Sequence, residues 1–284
     1  MIKKIYKSYS KINLTLKIIN KRKDSYHNIH SLFLELNHYD KLYFEKSEKF
    51  QLTNSGIDVP CDESNLITKS YKILAKKYKI KDCLSIHLEK KIPLFAGLGG
   101  GSSNAATVLK ALNEIWNLNL NIESLQKIGS TIGSDVPFFI NGGFQEVMGI
   151  GDILKPIHFS TKDKLTFLLV VPSVKISTKW AYKKLNKHLH ITKKPYKFHG
   201  FSNSLNWNSY SNDFEKLVIS TYPEIGRIKE NLLNSGAFFA SLSGTGSTMF
   251  GVYKNNNLAS KARSIFNSYQ TILTLPKPIT PIGV

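Results

Sequence analysis

The chain has 284 residues, 39 Lys or Arg against 20 Asp or Glu, a formal net charge of +19 and a pI near 9.7. Its 42% hydrophobic and 11% aromatic content excludes a disordered chain and leaves room for one large domain or two modest ones. Two cysteines, Cys61 and Cys83, with no CxxC spacing, exclude a disulfide framework and a zinc knuckle and fit a reducing, cytoplasmic compartment.

From the start, Ile5–Ile19 alternates as a strand, with a turn at Lys21–Ser25. The N-terminal stretch lacks the apolar core of a signal peptide, and no run of 18 apolar residues predicts a transmembrane helix. Residues 28–36 and 40–45 read as two further strands. Asp62 or Ser64 is positioned to cap a helix whose apolar residues (Leu66, Ile67, Tyr71, Leu74, Ala75, Tyr78) recur at helical spacing. Residues 84–90 alternate as a strand. Helices are expected over Asn104–Trp116 and Ile122–Ile132, then a hairpin over 143–158 with its turn at Gly149–Asp152. The apolar run 165–171 reads as a strand, and a helix is expected near Lys179–Lys187. Residues 190–211, rich in Ser, Asn and Lys, read as irregular. Phe214–Ser220, Glu224–Ser235 and Leu258–Tyr269 read as helices, and Ala237–Leu242 and Thr248–Tyr253 as strands. Mixed connections of this kind predict an α+β fold. They suggest two lobes, residues 1–158 and 159–274, with the Pro-rich tail 275–284 packing on the first.

The most informative stretch is PLFAGLGGGSSNAATVLKAL, from Pro93 to Leu112. Gly97, Gly99, Gly100 and Gly101 let the backbone turn sharply and approach a ligand. The helix that follows points free N–H groups and a positive dipole end at that ligand, which makes a phosphate cradle. Ser102 and Ser103 are placed to cap the helix, donate to phosphate oxygens or ligate Mg²⁺. The spacing is not that of a Walker A loop, which needs Lys after the last Gly, nor of a dinucleotide-binding fingerprint. A second glycine loop, SLSGTGSTMFGVY, joins two apolar strands and is centred on Gly244, Thr245 and Gly246. The positive charge would attract nucleic acid, an anionic membrane or a polyphosphate substrate. Only three basic residues are Arg (Arg22, Arg227, Arg263) and the lysines are spread throughout, which describes a solvated basic surface rather than a nucleic-acid reader.

In this order, the strand SYSKINLTL, the loop PLFAGLGGGSSNAA and the loop SLSGTGSTMFGVY resemble the GHMP kinases. KRKDSYHNIHSLFLEL, DESNLI, IGSDVPFFINGG, VKISTKWAY and YSNDFE resemble elements of the branch whose acceptor is a cytidine-diphosphate-linked alcohol. Two positions depart from that pattern: Ser25 stands where Gly is usual, and Asp152 where Glu is usual.

The resemblance implies a two-lobed GHMP kinase fold, with an N-terminal ribosomal-protein-like α/β lobe and a C-terminal ferredoxin-like lobe. It also implies transfer of the ATP γ-phosphoryl group to a tertiary alcohol. Asp135 would be the general base, assisted by Lys11. The ATP would lie against Pro93, Gly97, Leu98, Gly99, Gly100, Gly101, Ser102 and Ser103, with Asn65 and Leu66 near the adenine. Mg²⁺ would come with the nucleotide, Ser103 being the protein oxygen assigned to it. Asn13, Tyr26, His27 and Tyr182 would line the acceptor pocket; Thr178, Asp152, Gly244, Thr245 and Gly246 would add contacts. The expected partner is this small cytidine diphosphate molecule, with no nucleic acid and no membrane, and the chain a monomer or weak homodimer. Two other readings compete: a kinase of the same fold acting on homoserine, mevalonate or a sugar, and a basic nucleic-acid-binding protein on a shared fold.

Overall fold

The computed structural model describes residues 4–157, 165–185 and 207–278, so residues 190–206 of the stretch 190–211 read as irregular lie outside the described residues. Those residues fall into two compact units.

The first unit holds the described residues of Met1–Ser10, His38–Leu94 and Gly99–Gly142. Its sheet runs β3 (Gln51–Gly56), β4 (Cys83–Lys90) and the second half of β2 (His27–Ser47). β4 pairs antiparallel with β2, from Lys41 opposite Glu89 to Ser47 opposite Cys83, and parallel with β3. Leu84, Ile86 and Leu88 point inward from β4 at the period of a pleated strand, and Lys90 continues the same face. Four helices belong to this unit: α1 (Leu66–Lys77), α2 (Gly100–Ile115), α3 (Ile122–Ser130) and α4 (Val136–Asn141). The small face of α2 (Ala105, Ala106, Ala111) and its larger Val108, Leu109 and Leu112 are fully buried.

The second unit holds the described residues of Lys11–Asn37, Phe95–Leu98 and Gly143–Val284. Most of β1 (Lys4–Lys21) lies here and pairs with β2, which pairs in turn with β5 (Phe144–Gly149), and β5 with β6 (Ile153–Pro156). A separate antiparallel sheet has the order β10 (Gln270–Thr274), β7 (Thr166–Val171), β9 (Met249–Tyr253), β8 (Phe239–Leu242). Four helices complete the unit: α5 (Thr178–Leu185), α6 (Glu215–Thr221), α7 (Pro223–Asn234) and α8 (Asn256–Arg263). One apolar cluster joins Leu16 and Ile18 to Leu168, Phe214, Ile228, Leu242 and Phe266. The tail begins as an extension of the sheet: Asn37 N donates to Leu275 O, and Lys277 N to Glu35 O.

Several boundaries differ from expectation for physical reasons. Residues 28–36 and 40–45 belong to one strand, because the polar residues between them keep extended geometry and side chains that stay partly wet. Asn65, not Asp62 or Ser64, caps α1, its side chain accepting from Ile67 N at 2.9 Å; Asp62 instead accepts from Ser64 N. The helix after the glycine loop begins at Gly100, four residues before Asn104, so Gly99 is its N-cap and neither Ser102 nor Ser103 caps it. Low glycine propensity hid that first turn. The last helix stops at Arg263 and passes through a short 3-10 turn, because the chain must then pair as β10 with β7. β3, α4 and β10 have no counterpart in the sequence reading.

Candidate active site

In the first unit the helix that follows the glycine loop has an open N-terminus. Gly99 sits at φ 69°, in the left-handed region that glycine tolerates, and no side chain caps the helix. The first-turn N–H groups of an α-helix have no intrahelical acceptor. With no acid in that turn, the positive end of the dipole is unopposed. Leu66, at the start of α1, lies against this turn: a Cβ placed on Gly101 would be 3.8 Å from its Cδ1. Asn65 is committed to the α1 cap and to Pro60 O. Pro93 is buried in the loop leading to the glycines.

Beneath that helix lies a buried polar cluster that the sequence reading missed. Lys90 and Asp40 form an ion pair whose side chains are 1% and 0% exposed. Asp40 Oδ1 also accepts from the backbone N–H of Lys91 and Ile92, and Oδ2 from Asn104 Nδ2. The carboxylate is thus fully satisfied, the condition under which a buried ion pair is tolerated. Burial pushes the Lys90 ammonium below the ordinary lysine range, with Asp40 acting against that shift. The signal available in sequence was the alternation of β4, which sends position 90 inward.

Asp135 is half-buried and occupies the N-cap position of α4, but its backbone is helical and its side chain makes no capping bond. An ordinary helix-cap role therefore does not account for the carboxylate. The loop that carries it touches the phosphate helix: a Cβ on Gly133 would lie 3.8 Å from Ser102 Oγ.

The second unit brings together Lys11, Asn13, the Gly97–Leu98 part of the first glycine loop and the second glycine loop. Lys11 is 3% exposed, and its Nζ donates to Asn13 Oδ1 at 2.6 Å and lies 4.4 Å from the centre of the Phe33 ring. Asn13 Nδ2 donates to Ser31 Oγ at 3.0 Å, which fixes the amide orientation. Lys11 N donates to Leu98 O, and Ser243 Oγ to Gly97 O at 2.9 Å. Gly97 (φ 73°) has to be glycine, since a Cβ there would be 2.1 Å from Ser243 O. Gly244 (φ 59°) is less crowded: a Cβ there would make ordinary contacts, 3.4 Å from Asn13 Oδ1 and 3.5 Å from Gly97 O. Gly246 faces Ile176 and Leu242 instead. Asn212, a second residue not singled out in the sequence, braces the loop by donating to Leu242 O and Gly244 O, both at 2.8 Å.

The aromatic candidates separate. His27 is buried and its ring lies 5.0 Å from that of Tyr182, which packs edge-on against Phe214 at 4.8 Å. Tyr26 is 60% exposed at the tip of the β1–β2 turn. Thr178 Oγ1 lies 3.3 Å from Thr245 Oγ1, joining α5 to the second glycine loop. Asp152 is exposed, and its Oδ1 accepts from Ile150 N at 2.9 Å, the work of a hairpin turn.

The profile for the GHMP kinases N terminal domain matches residues 65–143, and that for the GHMP kinases C terminal domain residues 198–270. With the α+β architecture and the glycine-loop helix, they define the class: a small-molecule kinase, an ATP-dependent phosphotransferase of the GHMP fold. A 4-diphosphocytidyl-2-C-methyl-D-erythritol kinase of Thermodesulfovibrio yellowstonii is 42% identical over 96% of this chain and 98% of its own length. The enzyme of the same name from Chlorobium chlorochromatii is 38% identical over 94% and 95%. A crystal structure of 4-(cytidine 5'-diphospho)-2C-methyl-D-erythritol kinase superposes with a TM-score of 0.79 at 26% identity, covering 97% of this chain and all of the other. The chain belongs to the 4-diphosphocytidyl-2-C-methyl-D-erythritol kinase family within the GHMP kinases.

Proposed function

We propose that this kinase transfers the γ-phosphoryl group of ATP to the 2-hydroxyl of 4-diphosphocytidyl-2-C-methyl-D-erythritol, a step of the methylerythritol phosphate route to isoprenoid precursors. The observation that carries the reading is full-length similarity, at 42% and 38% identity, to kinases that bear this substrate in their names. The O–P bond forms at the C2 oxygen as the bond to the β–γ bridging oxygen of ATP breaks, and ADP leaves. Asp135 accepts the hydroxyl proton, and Lys11 offsets the charge that develops on the acceptor oxygen. The place of Asp135 supports the first role, since it starts α4 in a loop that reaches the helix after the glycine loop. For Lys11, support comes from burial against Asn13 and Phe33, a placement without a surface purpose.

Gly97 to Ser103 cradle the ATP phosphates, with Pro93 buried in the segment that leads into them and Asn65 and Leu66 near the adenine. Asn13, Tyr26, His27, Thr178, Tyr182, Gly244, Thr245 and Gly246 serve the cytidyl substrate. For His27 and Tyr182 the ring pair offers an apolar platform beside a polar edge, suited to a nucleobase. Mg²⁺ enters with the nucleotide and shields phosphate charge. The ion is held mainly by phosphate oxygens and water. The lobes are taken to divide near residue 158, and the enzyme to work in the cytoplasm on a small molecule, as a monomer or weak homodimer.

A coupled ADP-release assay with ATP, Mg²⁺ and the cytidyl substrate tests the reading. Turnover should require that acceptor, and Asp135→Ala should lower kcat by about 10²–10⁴-fold, the usual worth of a general base. Turnover with homoserine or mevalonate and none with the cytidyl compound would sink it.

A further inference from the structure

The cluster beneath the phosphate helix is a chain of hydrogen bonds whose direction is set at one end. Asp40 is an acceptor only, so Asn104 must present its Nδ2 to it, at 2.9 Å. The same Nδ2 also donates to Ser8 Oγ, at 2.9 Å. Ser8 Oγ, now an acceptor, has one proton to give, and it lies 2.8 Å from Ser103 Oγ. Ser103 Oγ accepts it, so Ser103 must direct its own proton elsewhere. All of these side chains are 3% exposed or less. Among the described residues, no hydrogen bond takes up that last proton.

We propose that Ser8, held by Asp40 and Asn104, is a positioning residue that turns the Ser103 hydroxyl into an outward hydrogen-bond donor for a nucleotide phosphate oxygen. Ser103 follows Ser102 in the first turn of α2, a helix whose N-terminus has no side-chain cap. A relay from a buried carboxylate fixes the hydroxyl before the nucleotide arrives and removes the need to order it on binding. This assigns Ser103 to phosphate, as a donor, rather than to Mg²⁺. The inference rests on the ATP reading of the glycine loop, and it adds Ser8, which touches no substrate.

Steady-state kinetics of the full-length enzyme with Ser8→Ala tests it, beside Ser103→Ala and the double variant. The expected result is a KM for ATP raised about five- to tenfold in Ser8→Ala, the loss of one charge-assisted hydrogen bond. The KM for the acceptor should be unchanged, and the double variant should be no worse than Ser103→Ala, because both changes remove one interaction. If Ser8→Ala does not fold, Ser8→Cys, with its weak S–H donor, replaces it. Equal losses for both substrates, additive effects or an unchanged KM for ATP would overturn the proposal. So would a Ser103→Cys enzyme that is inactive with Mg²⁺ and restored by Cd²⁺, the mark of a metal ligand. An inactive parent enzyme would instead strike at the ATP reading itself.

Discussion

Ser25 carries a side chain at φ 69°, where the β1–β2 turn would be at ease with glycine. The turn is otherwise well made: Arg22 N donates to Tyr26 O, and Tyr26 N to Asp24 Oδ1 at 3.1 Å. An L-residue in the left-handed region costs about 1–2 kcal/mol. A glycine there loses roughly 0.5–1 kcal/mol in the unfolded chain's extra freedom. Relief wins by a small margin, so Ser25→Gly should raise the thermal midpoint by about 1–4 °C. Calorimetry reads it, and a lowered midpoint would mean that the hydroxyl contributes more than the strain costs. Gly97 is the opposite case, since any Cβ there meets Ser243 O. Both positions were legible as turn chemistry in the sequence. Asp40 and Lys90 were not, because 50 residues separate them and only the pairing of β2 with β4 makes them neighbours.

β4 shows how one element carries two kinds of information. Its inward face is read from the alternation Leu84, Ile86, Leu88, and this much the pattern of the sequence predicted. Its outward face depends on register, which the pattern does not encode. Glu89 lies opposite Lys41, accepts from Tyr43 Oη at 2.7 Å and pairs with Lys91 at 2.7 Å. Those donors, Lys91 first and Tyr43 next, hold its carboxyl down at about 2. A carboxyl whose pKa is lower in the folded protein stabilises it above the ordinary carboxylate pKa. That stabilisation fades as pH falls from about 4.5 to about 2. The side chain is partly exposed, so the effect is about 1 kcal/mol or less after solvent screening. Glu89→Gln should therefore flatten the acid limb of a stability–pH curve, lowering stability at neutral pH by about 1 kcal/mol or less and leaving it nearly unchanged near pH 2. Denaturant titrations across that range test it, and an acid limb identical to the parent's would place the acid-sensitive groups elsewhere. β2 taught a related lesson at element scale: the polar stretch at Asn37–Tyr39 reads as a break, but extended backbone tolerates it.

At the scale of the molecule, charge was plain from composition, while the grouping of the chain into its two units was not. Segments as short as Phe95–Leu98 belong with strands far away in sequence, through bonds such as Lys11 N to Leu98 O and Ser243 Oγ to Gly97 O. The surplus of 19 positive charges needs its own test. ATP and a cytidine diphosphate are both polyanions, and a basic protein attracts polyanions over a distance set by salt. The Debye length is about 30 Å at 0.01 M and about 8 Å at 0.15 M ionic strength. If the surplus steers substrates, kcat/KM for both should fall about tenfold or more across that range, while kcat, set by groups already in contact, stays within about twofold. If the lysines are only compositional, spread as they are along the chain, kcat/KM should hardly move. Buried contacts such as Lys11 with Asn13 are screened far less than surface charge, so they do not blur the distinction. A fall in kcat/KM accompanied by an equal fall in kcat would indicate that salt acts on the folded site and not on encounter, and steering would then be rejected.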